Sequence, residues 1–419
     1  MVVDNRENPP GLQGFRKAFP GIAVEVGEFS TATLRAAREL VMSPGVSLAE
    51  PAVAEAVASG VPVTGDIDRF SRHAPAPIVA VTGSNGKSTG VSLVAEILRY
   101  AGVDFGLGGN LDSAESRPAL DLLQDPPRDL YLLELSSFQL ETTANLGAEV
   151  AAILNFSEDH MDRYASLEAY LAAKQRIFRG ANSVVVNRDS AYSAPPDPGN
   201  CRIVDYGLDE PVAGSVGLRR LGDDEFLAYG NQNLLATREL KMMGRHNIAN
   251  ALAALSIAIA LKVDLAPACN ALRNFRGLPH RCEWVDELRQ VTYINDSKGT
   301  NVGATMAAIE GLADGPGRVI LIAGGVGKGA DFSPLKPVIG ERIAEVILIG
   351  AAAAELAALL EGPVPVNFAT DMHDAVARAE KLASPGDRVL LSPACASFDM
   401  FRDFTHRGQV FRDAVRSLK

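Results

Sequence analysis

Residues 78–89 read IVAVTGSNGKST, and this segment constrains the fold more than any other part of the chain. The apolar, β-branched run at its start predicts a buried strand, and the stretch after the glycine-bearing turn is typical of an amphipathic helix. Parallel α/β sheets are built from units of this kind. The backbone N–H groups of such a turn, together with the positive end of the helix, form a cradle for anions. The segment therefore predicts a phosphate-binding loop.

The residue types in this loop indicate a nucleoside triphosphate as the ligand. Lys87 offers a point charge to the β- and γ-phosphates, and the Ser88 hydroxyl can ligate Mg²⁺. The common nucleotide loop has a glycine where this chain has Val81, so the loop is a variant of that pattern. The alternative is a plain glycine turn with a solvated lysine, and the run from Gly83 to Thr89 favours the nucleotide site.

The bulk composition excludes several classes of partner. A length of 419 residues predicts about three domains. The net charge of −11 argues against binding to nucleic acid or to an anionic membrane. The chain has no apolar stretch of about 18 residues and no leader-like start, which predicts a soluble, unexported protein. The cysteines are widely spaced, which favours reduced structural thiols over disulfides or zinc ligands. They are Cys201, Cys269, Cys282 and Cys395.

Short β-rich runs alternate with alanine- and leucine-rich helical stretches along the chain, which predicts an α/β fold with parallel sheets and crossover helices. The segment RHAPAP at 72–77 has the composition of a linker. A fresh set of strand-like runs follows GLPHR at 277–281. We therefore predict three domains, and their ranges are 1–72, 73–277 and 278–419.

Polar residues that follow apolar runs are candidates for the site, because ligands of open parallel sheets bind outside the carboxyl ends of the strands. Glu134 ends such a run, where a carboxylate is costly unless it is paired or metal-bound, so it is a candidate Mg²⁺ ligand. His160 follows another run among carboxylates, and a catalytic or metal role competes there with a structural one. Three further runs are followed by polar clusters, which are 296–300, 327–329 and 397–399. Lys174 lies in a helical stretch, where a lysine is normally solvated, and its position alone indicates no role.

Motifs spread over nearly the whole chain resemble those of the Mur ligases. They are VTGSNGKST, LELSSFQLETT, DHMDRY with a following AAKQRIF, GRHNIANALAAL, GLPHRCEWV, YINDSKGTN, AGGVGKGADF and LLSPACASFDMF. The resemblance implies an N-terminal Rossmann-like domain for the UDP part of a substrate, a central P-loop ATPase-like domain and a C-terminal Rossmann-like domain. The last motif and the NDSKGTN turn favour the members of the family that add D-glutamate.

The activity that the resemblance implies is ATP-dependent ligation of a carboxylate to an amine. D-Glutamate would be added to UDP-N-acetylmuramoyl-L-alanine through an acyl phosphate, during cytoplasmic synthesis of the peptidoglycan precursor for the cell wall, by a monomeric enzyme. Deprotonation of the amine needs a base, which His160 or a nearby carboxylate could supply. The alternatives are another Mur-type or folylpolyglutamate-type ligase, a nucleotide-dependent regulator and a non-catalytic binding remnant.

The resemblance also implies individual residue roles. Lys87, His160 and Lys174 would be catalytic. Ser88 and Glu134 would ligate one Mg²⁺, and His160 and Lys174 a second, with Lys174 carbamylated so that its cation becomes an anion. The residues implied for ATP are Gly83, Ser84, Asn85, Gly86, Lys87, Ser88, Thr89, Asn247, Asn250, Arg281 and Asp296. Those implied for UDP-N-acetylmuramoyl-L-alanine are Asp4, Asn5, Arg6, Ser43, Asn110 and Ser136, and those for D-glutamate are Thr300, Lys328, Ser397 and Phe404.

One feature departs from the family pattern. The first domain of the family normally begins with a strand and a glycine-rich turn that contacts the UDP part, whereas this chain begins at what resembles the second strand. We therefore expect a truncated first domain that is less well ordered or binds UDP weakly. The ATP and D-glutamate sites are expected to be untouched.

Overall fold

The chain forms two compact units in the computed structural model. The first contains Met1–Asn85, Asp104–Val186 and Ser190–Ile203, and the second contains Gly86–Val103, Asn187–Asp189 and Val204–Lys419. The structure describes residues 1–111, 113, 115–157, 160, 163–242, 244–312, 317–327, 329–360, 362 and 364–419.

The strands within the described residues are short and apolar. They are β1 (Val2–Asp4), β2 (Val24–Val26), β3 (Leu40–Met42), β4 (Val63–Gly65), β5 (Ile78–Thr82), β6 (Phe105–Gly109), β7 (Leu130–Glu134), β8 (Val150–Ile153), β9 (Ser183–Asn187), β10 (Arg202–Tyr206), β11 (Val216–Leu221), β12 (Asp224–Tyr229), β13 (Gln232–Ala236), β14 (Glu283–Leu288), β15 (Val291–Asn295), β16 (Val319–Gly324), β17 (Ile343–Ile349), β18 (Val366–Phe368) and β19 (Arg388–Leu391).

Helices alternate with these strands along most of the chain, as the sequence predicts. They are α1 (Leu12–Ala18), α2 (Thr31–Arg35), α3 (Pro51–Ala58), α4 (Asp66–His73), α5 (Lys87–Tyr100), α6 (Ala119–Leu122), α7 (Ser137–Glu141), α8 (Leu167–Gln175), α9 (Arg245–Ala260), α10 (Leu265–Asn274), α11 (Val302–Leu312), α12 (Leu335–Arg342), α13 (Ala353–Leu360), α14 (Met372–Leu382) and α15 (Phe404–Arg416). Single 3₁₀ turns occupy Arg176–Phe178, Ala191–Ser193 and Thr237–Glu239.

The first unit is organised around a parallel arrangement of strands in the order β6–β7–β5–β8–β9. Strands β5 and β7 are buried along their whole length, as expected for parallel strands with both faces covered. The register places Val81 opposite Glu134 and Thr82 opposite Ile153. The residues that follow β5, β7 and β8 therefore emerge at the same edge of the sheet.

The start of the chain forms two separate parallel ladders within the first unit, β1 with β2 and β3 with β4. Both ladders contribute to one small core, in which Val3 packs against a cluster that includes Leu40, Met42 and Val53. Helix α1 has no buried residue. The truncation of this domain stays a prediction.

In the second unit, a six-stranded sheet has the order β14–β15–β19–β16–β17–β18. Strands β14 and β15 form an antiparallel hairpin, and the remaining neighbours run parallel. Hydrophobic clusters cover both faces of this sheet. Because β19 lies between β15 and β16, the chain changes direction across the sheet there, and such switch points are where ligands bind.

The second unit also contains helices α5, α9 and α10, which pack on one another, and the strands β11–β13. The α/β fold with parallel sheets is confirmed, whereas the three domain boundaries stay predictions. Within the described part of the chain, no helix is long and apolar enough to cross a membrane. Cys201, Cys269, Cys282 and Cys395 are all free thiols.

Candidate active site

The first half of the predicted phosphate-binding loop is fixed by the residues that follow β8. The Asn85 backbone N–H donates to the Asn155 side chain at 2.8 Å, and Asn155 donates back to the Asn85 carbonyl at 2.9 Å. Ser84 is tied in the same way, since its hydroxyl donates to the Ser157 carbonyl and accepts from the Ser157 N–H. These reciprocal bonds hold residues 83–85 in one conformation.

Lys174 lies beside this half of the loop. Its side chain, on helix α8, is only 1% exposed, and its Nζ donates to the Gly83 carbonyl at 2.8 Å. The ammonium lies 4.8 Å from the centre of the Tyr170 ring, whose hydroxyl is 3.3 Å from Ser84 Oγ. The expectation from helical position alone, a solvated lysine, is therefore wrong, because the surrounding loop and ring exclude water from the amine.

Glu134 ends strand β7 as a carboxylate that is 2% exposed. Its Oε1 accepts a bond of 3.2 Å from the Asn110 side-chain amide, which brings together two predicted site residues. Its Oε2 is buried and has no hydrogen-bond partner among the described residues. A buried carboxylate oxygen without a partner is costly, and a divalent cation would satisfy it, so the residues here fit a Mg²⁺ ligand.

His160 adopts a left-handed backbone conformation with φ of 55°. The Arg163 and Tyr164 backbone N–H groups both donate to its carbonyl. Its ring lies 4.9 Å from that of Phe138 and 6.0 Å from that of Tyr170. The neighbouring carboxylates Glu158, Asp159 and Asp162 lie outside the described residues. Among those that the structure does describe, no group of three or more His, Cys, Asp or Glu is placed to hold a metal.

The second half of the loop belongs to the second unit and opens helix α5. Gly86 caps the helix with φ of 72°, and Lys87, Ser88 and Thr89 form its first turn. A Cβ at Gly86 would lie 2.7 Å from Oδ1 of Asn250. The predicted ATP residues Asn247 and Asn250 are both buried on helix α9 and are joined by a 3.3 Å hydrogen bond. The structure thus brings Asn250 to the turn of the loop.

Replacement of Gly86 should therefore damage the loop. In Gly86→Ala, the left-handed backbone costs about 1–2 kcal/mol, and the new methyl group must displace Asn250. We expect a lower melting temperature together with weaker ATP binding in titration calorimetry. Gly102→Ala is a matched control, because Gly102 also has positive φ but its Cβ would meet nothing within 4 Å. Equal ATP affinity in the two variants would contradict this prediction.

At the switch point of the six-stranded sheet, Asp296 follows strand β15. Its carboxylate accepts from the Ser392 hydroxyl at 2.7 Å and from the Cys282 backbone N–H at 3.2 Å. Burial raises the pKa of Asp296 to about 6, although these bonds and the nearby charge of Arg281 act in the opposite direction. The two ATP residues predicted in this region, Arg281 and Asp296, therefore lie in one neighbourhood.

The raised pKa predicts a pH dependence of stability. The native protein holds the Asp296 proton more tightly than the unfolded chain, in which an aspartate has a pKa of about 3.9. The contribution of this carboxyl to stability is therefore fully present below pH ~4 and is lost as the pH rises to ~6. Relative to wild type, Asp296→Asn should gain stability across that window in urea unfolding. A constant difference between the two proteins from pH 4 to 7 would contradict the assignment.

Of the residues predicted for D-glutamate, Thr300 and Ser397 lie in the loops after β15 and β19, and Phe404 opens helix α15. The Ser297 hydroxyl donates to the Phe404 carbonyl at 2.8 Å, and the Lys298 ammonium lies 4.2 Å from the centre of the Phe404 ring. Ser397 is 2% exposed, and Thr300 is partly buried. Lys328 lies outside the described residues.

The buried Arg407 connects these loops. From helix α15 it donates through Nε to the Ser297 hydroxyl, through Nη2 to the Ser297 carbonyl and through Nη1 to the Cys395 carbonyl, at 2.9–3.0 Å. Burial lowers the pKa of Arg407 to about 10, so the guanidinium stays charged near neutral pH. The three bonds fix the position of helix α15, and therefore of Phe404 at its start, relative to the loop that contains Ser297 and the loop that contains Cys395.

The residues predicted for the UDP-linked substrate follow strands or cap helices in the first unit. The Arg6 side chain and backbone N–H both donate to Asp4, and these bonds lower the pKa of Asp4 to about 2. Asn5 lies between them, and Ser43 directly follows β3. Ser136 caps helix α7 in a reciprocal arrangement with Gln139, whose amide reaches Asp66 at 3.1 Å.

Sequence reasoning assigned no individual role to three residues that organise these candidate sites. Asn155 lies at the end of the apolar run that forms β8. The search for polar residues at strand ends began only after this run, and it would have found Asn155 if it had included the last residues of the run. Lys298 lies inside the predicted polar cluster 296–300, but no role of its own was predicted for it. Arg407 gave a weaker signal, a charged residue on the apolar side of a helix.

Sequence models of one family match most of the chain. Residues 1–65 match the Mur ligase MurD-like N-terminal domain, residues 81–258 the Mur ligase middle domain and residues 280–395 the Mur ligase glutamate ligase domain. The chain therefore belongs to the Mur ligase family.

Within that family, the chain is similar over its whole length to curated proteins named UDP-N-acetylmuramoylalanine–D-glutamate ligase. The protein of Marinobacter nauticus is 49% identical, with 100% of this chain and 92% of that protein covered. The protein of Pseudomonas putida is 50% identical with the same coverage, and that of Nitrosococcus oceani is 49% identical with 91% of its length covered.

Solved structures share the fold at low sequence identity. A UDP-N-acetylmuramoyl-L-alanyl-D-glutamate–2,6-diaminopimelate ligase has a TM-score of 0.64 and 21% identity, over 87% of this chain and 89% of that one. The MurF ligase of Thermotoga maritima in complex with ADP has a TM-score of 0.57 and 16% identity, over 92% of this chain and 99% of that one. These likenesses confirm the three-domain α/β fold.

Proposed function

We propose that this protein joins D-glutamate to UDP-N-acetylmuramoyl-L-alanine with hydrolysis of ATP to ADP and phosphate. The observation that carries the proposal is the near 50% identity, over the full chain, to ligases named for this reaction. Two features support it from the structure. Oε2 of Glu134 is buried and has no hydrogen-bond partner in the part of the chain that the structure describes, and hydrogen bonds fix the loop of residues 83–85.

The chemistry requires activation of a poor electrophile. The carboxylate of the alanyl substrate attacks the γ-phosphorus of ATP, so that an acyl phosphate forms and ADP leaves. The amine of D-glutamate then attacks the acyl carbon, and the tetrahedral oxyanion collapses with loss of phosphate. Three anions must be brought together, so charge neutralisation and positioning dominate over any protein nucleophile.

We assign the roles of the chain's residues accordingly. Lys87 and the N–H groups of the Gly83–Thr89 loop hold the β- and γ-phosphates, and Asn247, Asn250, Arg281 and Asp296 hold the rest of the nucleotide. D-Glutamate is held by Thr300, Lys328, Ser397 and Phe404, and we add Lys298 to this set because its ammonium lies beside the Phe404 ring. The muramoyl-alanine end is held by Asn110 and Ser136, and the uridine end by Asp4, Asn5, Arg6 and Ser43.

The proposed metal ligands follow from the resemblance to the family and from the buried carboxylate of Glu134. We propose that Ser88 and Glu134 serve one Mg²⁺ and that His160 and a carbamylated Lys174 serve a second. Bound Mg²⁺ neutralises the phosphate and acyl phosphate charges. A carbamate on Lys174 would keep an N–H for the Gly83 carbonyl while adding oxygen ligands, so the contact seen in the structure is compatible with the modification. His160 or a neighbouring carboxylate accepts the amine proton.

We further propose that the enzyme acts as a cytoplasmic monomer, as is usual for the family. Each of the three domains would bind one substrate. Residues 1–72 would bind the UDP part, residues 73–277 would bind ATP and residues 278–419 would bind the amino acid. The place of this reaction would be early in the synthesis of the peptidoglycan precursor, ahead of cell-wall growth and cell division.

Phosphate release tests the proposal directly. A mixture of the protein with ATP and Mg²⁺ should release phosphate only when both UDP-N-acetylmuramoyl-L-alanine and D-glutamate are present. Labelled D-glutamate should be incorporated into the product. L-Alanine, L-glutamate and a diamino acid serve as control substrates. Phosphate release without an amino acid would favour a nucleotide-dependent regulator, and incorporation of a different amino acid would assign the chain to another branch of the family.

A further inference from the structure

Arg163 makes an unusual set of contacts in the first unit. Its Nη1 donates to the carbonyls of Pro44 and Gly45 at 3.4 and 3.5 Å, and its Nη2 donates to the Val46 carbonyl at 3.2 Å. The same Nη2 forms a 2.8 Å ion pair with Glu141, and the two side chains are only 11% and 16% exposed. The side chain is thus largely enclosed and points at a stretch of backbone more than 100 residues away in the sequence.

These contacts join three segments that carry predicted site residues. The loop 43–46 directly follows β3 and begins with Ser43. Glu141 is the last residue of helix α7, which Ser136 caps. Arg163 itself closes the turn that begins at His160, and its guanidinium lies 4.5 Å from the centre of the Phe138 ring, which in turn lies 4.9 Å from the His160 ring.

The geometry requires an arginine. A guanidinium is planar and offers five donors in a fixed fork, so it can hold carbonyls on one side and a carboxylate on the other. A lysine ammonium is a single point charge and cannot span the same partners from one position. The flat face of the guanidinium also stacks on the Phe138 ring, which an ammonium on a flexible stem would not reproduce.

We propose that Arg163 is a positioning residue that locks the Ser43-bearing loop against the His160-bearing turn and so sets the affinity for the UDP-linked substrate. The inference rests on the proposed function, because that function assigns Ser43 to the uridine end. Without the lock, the loop after β3 loses three hydrogen bonds to one donor group, and the substrate must reorder that loop when it binds.

Steady-state kinetics on Arg163→Lys, Arg163→Ala and Glu141→Gln test the proposal. Each KM is measured by phosphate release for UDP-N-acetylmuramoyl-L-alanine, for ATP and for D-glutamate. We expect both Arg163 variants to raise the KM for the UDP-linked substrate at least about tenfold, with the other two KM values within about twofold. Glu141→Gln keeps the carbonyl contacts and should show a smaller rise. Millimolar guanidinium chloride should partly restore the KM of Arg163→Ala but not that of Arg163→Lys.

Arg35→Ala is the matched control. Arg35 also pairs with a glutamate, Glu55, at 3.3 Å, but both side chains are half exposed and the pair joins helices α2 and α3. Its three KM values should equal those of wild type. A melting curve for each variant separates loss of fold from loss of positioning, and Arg163→Lys keeps the test usable if Arg163→Ala does not fold.

Three results would overturn the inference. They are an unchanged KM for the UDP-linked substrate in Arg163→Lys, an equal rise in all three KM values, and a fall in kcat alone. Failure of the proposed function looks different, because wild type itself would then not couple phosphate release to D-glutamate. In that case, titration of wild type and Arg163→Lys with UDP-N-acetylmuramoyl-L-alanine still decides the inference, since equal affinities would contradict it.

Discussion

Lys87→Ala should reduce D-glutamate ligation by roughly a thousandfold, which is the scale of losing a preorganised charge at a developing anion. Lys87 opens helix α5 directly after the left-handed Gly86, so its side chain starts from the positive end of the helix. Removal of its charge takes away a cation that the proposed function assigns to the β- and γ-phosphates. Coupled phosphate release is the measurement, and ATP binding by calorimetry shows whether affinity falls with turnover.

The control for this variant is Lys381→Ala. Lys381 is an exposed lysine in the last turn of helix α14, and its loss should leave turnover unchanged. Near wild-type ATP consumption by Lys87→Ala would refute the assignment of the loop to the triphosphate. A loss of activity accompanied by an equal loss in the control would instead indicate a general effect of removing surface charge.

Lys174→Ala should reduce turnover at least about a hundredfold and should be rescued in part by added acetate or formate. The reason is the proposed carbamate, whose oxygen atoms a small free carboxylate can replace in the space that the shortened side chain leaves. The burial of Lys174 and its bond to Gly83 define that space. The measurement is coupled phosphate release as a function of carboxylate concentration at constant ionic strength.

Two comparisons make the rescue specific. Chloride at the same ionic strength should have no effect on Lys174→Ala, and acetate should not raise the activity of wild type or of Lys87→Ala. If Lys174→Ala keeps most of its activity, or if chloride and acetate act alike, the lysine is not a carbamate carrier. If activity is lost and acetate does not restore it, a purely structural role through the Gly83 contact is the explanation.

The fold was predictable where the relevant information is local. The continuous apolar runs predict the buried parallel strands β5, β7 and β8, and the residues after them indicate the sheet edge that carries the site. The placement of Glu134 at a strand end was readable in the same way, because a carboxylate in an apolar run implies a compensating partner. The whole-chain resemblance supplied roles that these local patterns leave open.

The other features of the candidate site depend on contacts between distant parts of the sequence, so local patterns do not predict them. No pattern near Lys174 in the sequence predicts that the Gly83 loop and the Tyr170 ring bury its amine. Arg163 reads as an ordinary charged residue after a turn, although its partners are the carbonyls of residues 44–46. Arg407 binds Ser297, which lies 110 residues earlier in the sequence, and only the folded arrangement reveals this contact. Burial of such polar groups follows from tertiary packing, which a one-dimensional pattern does not encode.

The two hydrogen bonds between the Asn155 side chain and the Asn85 backbone have a consequence for the kinetics of nucleotide binding. Because these two hydrogen bonds fix the loop, it has little backbone freedom left to lose when a ligand binds. Encounter with nucleotide should therefore proceed in a single fast phase, without a slow isomerisation of this segment before or after capture.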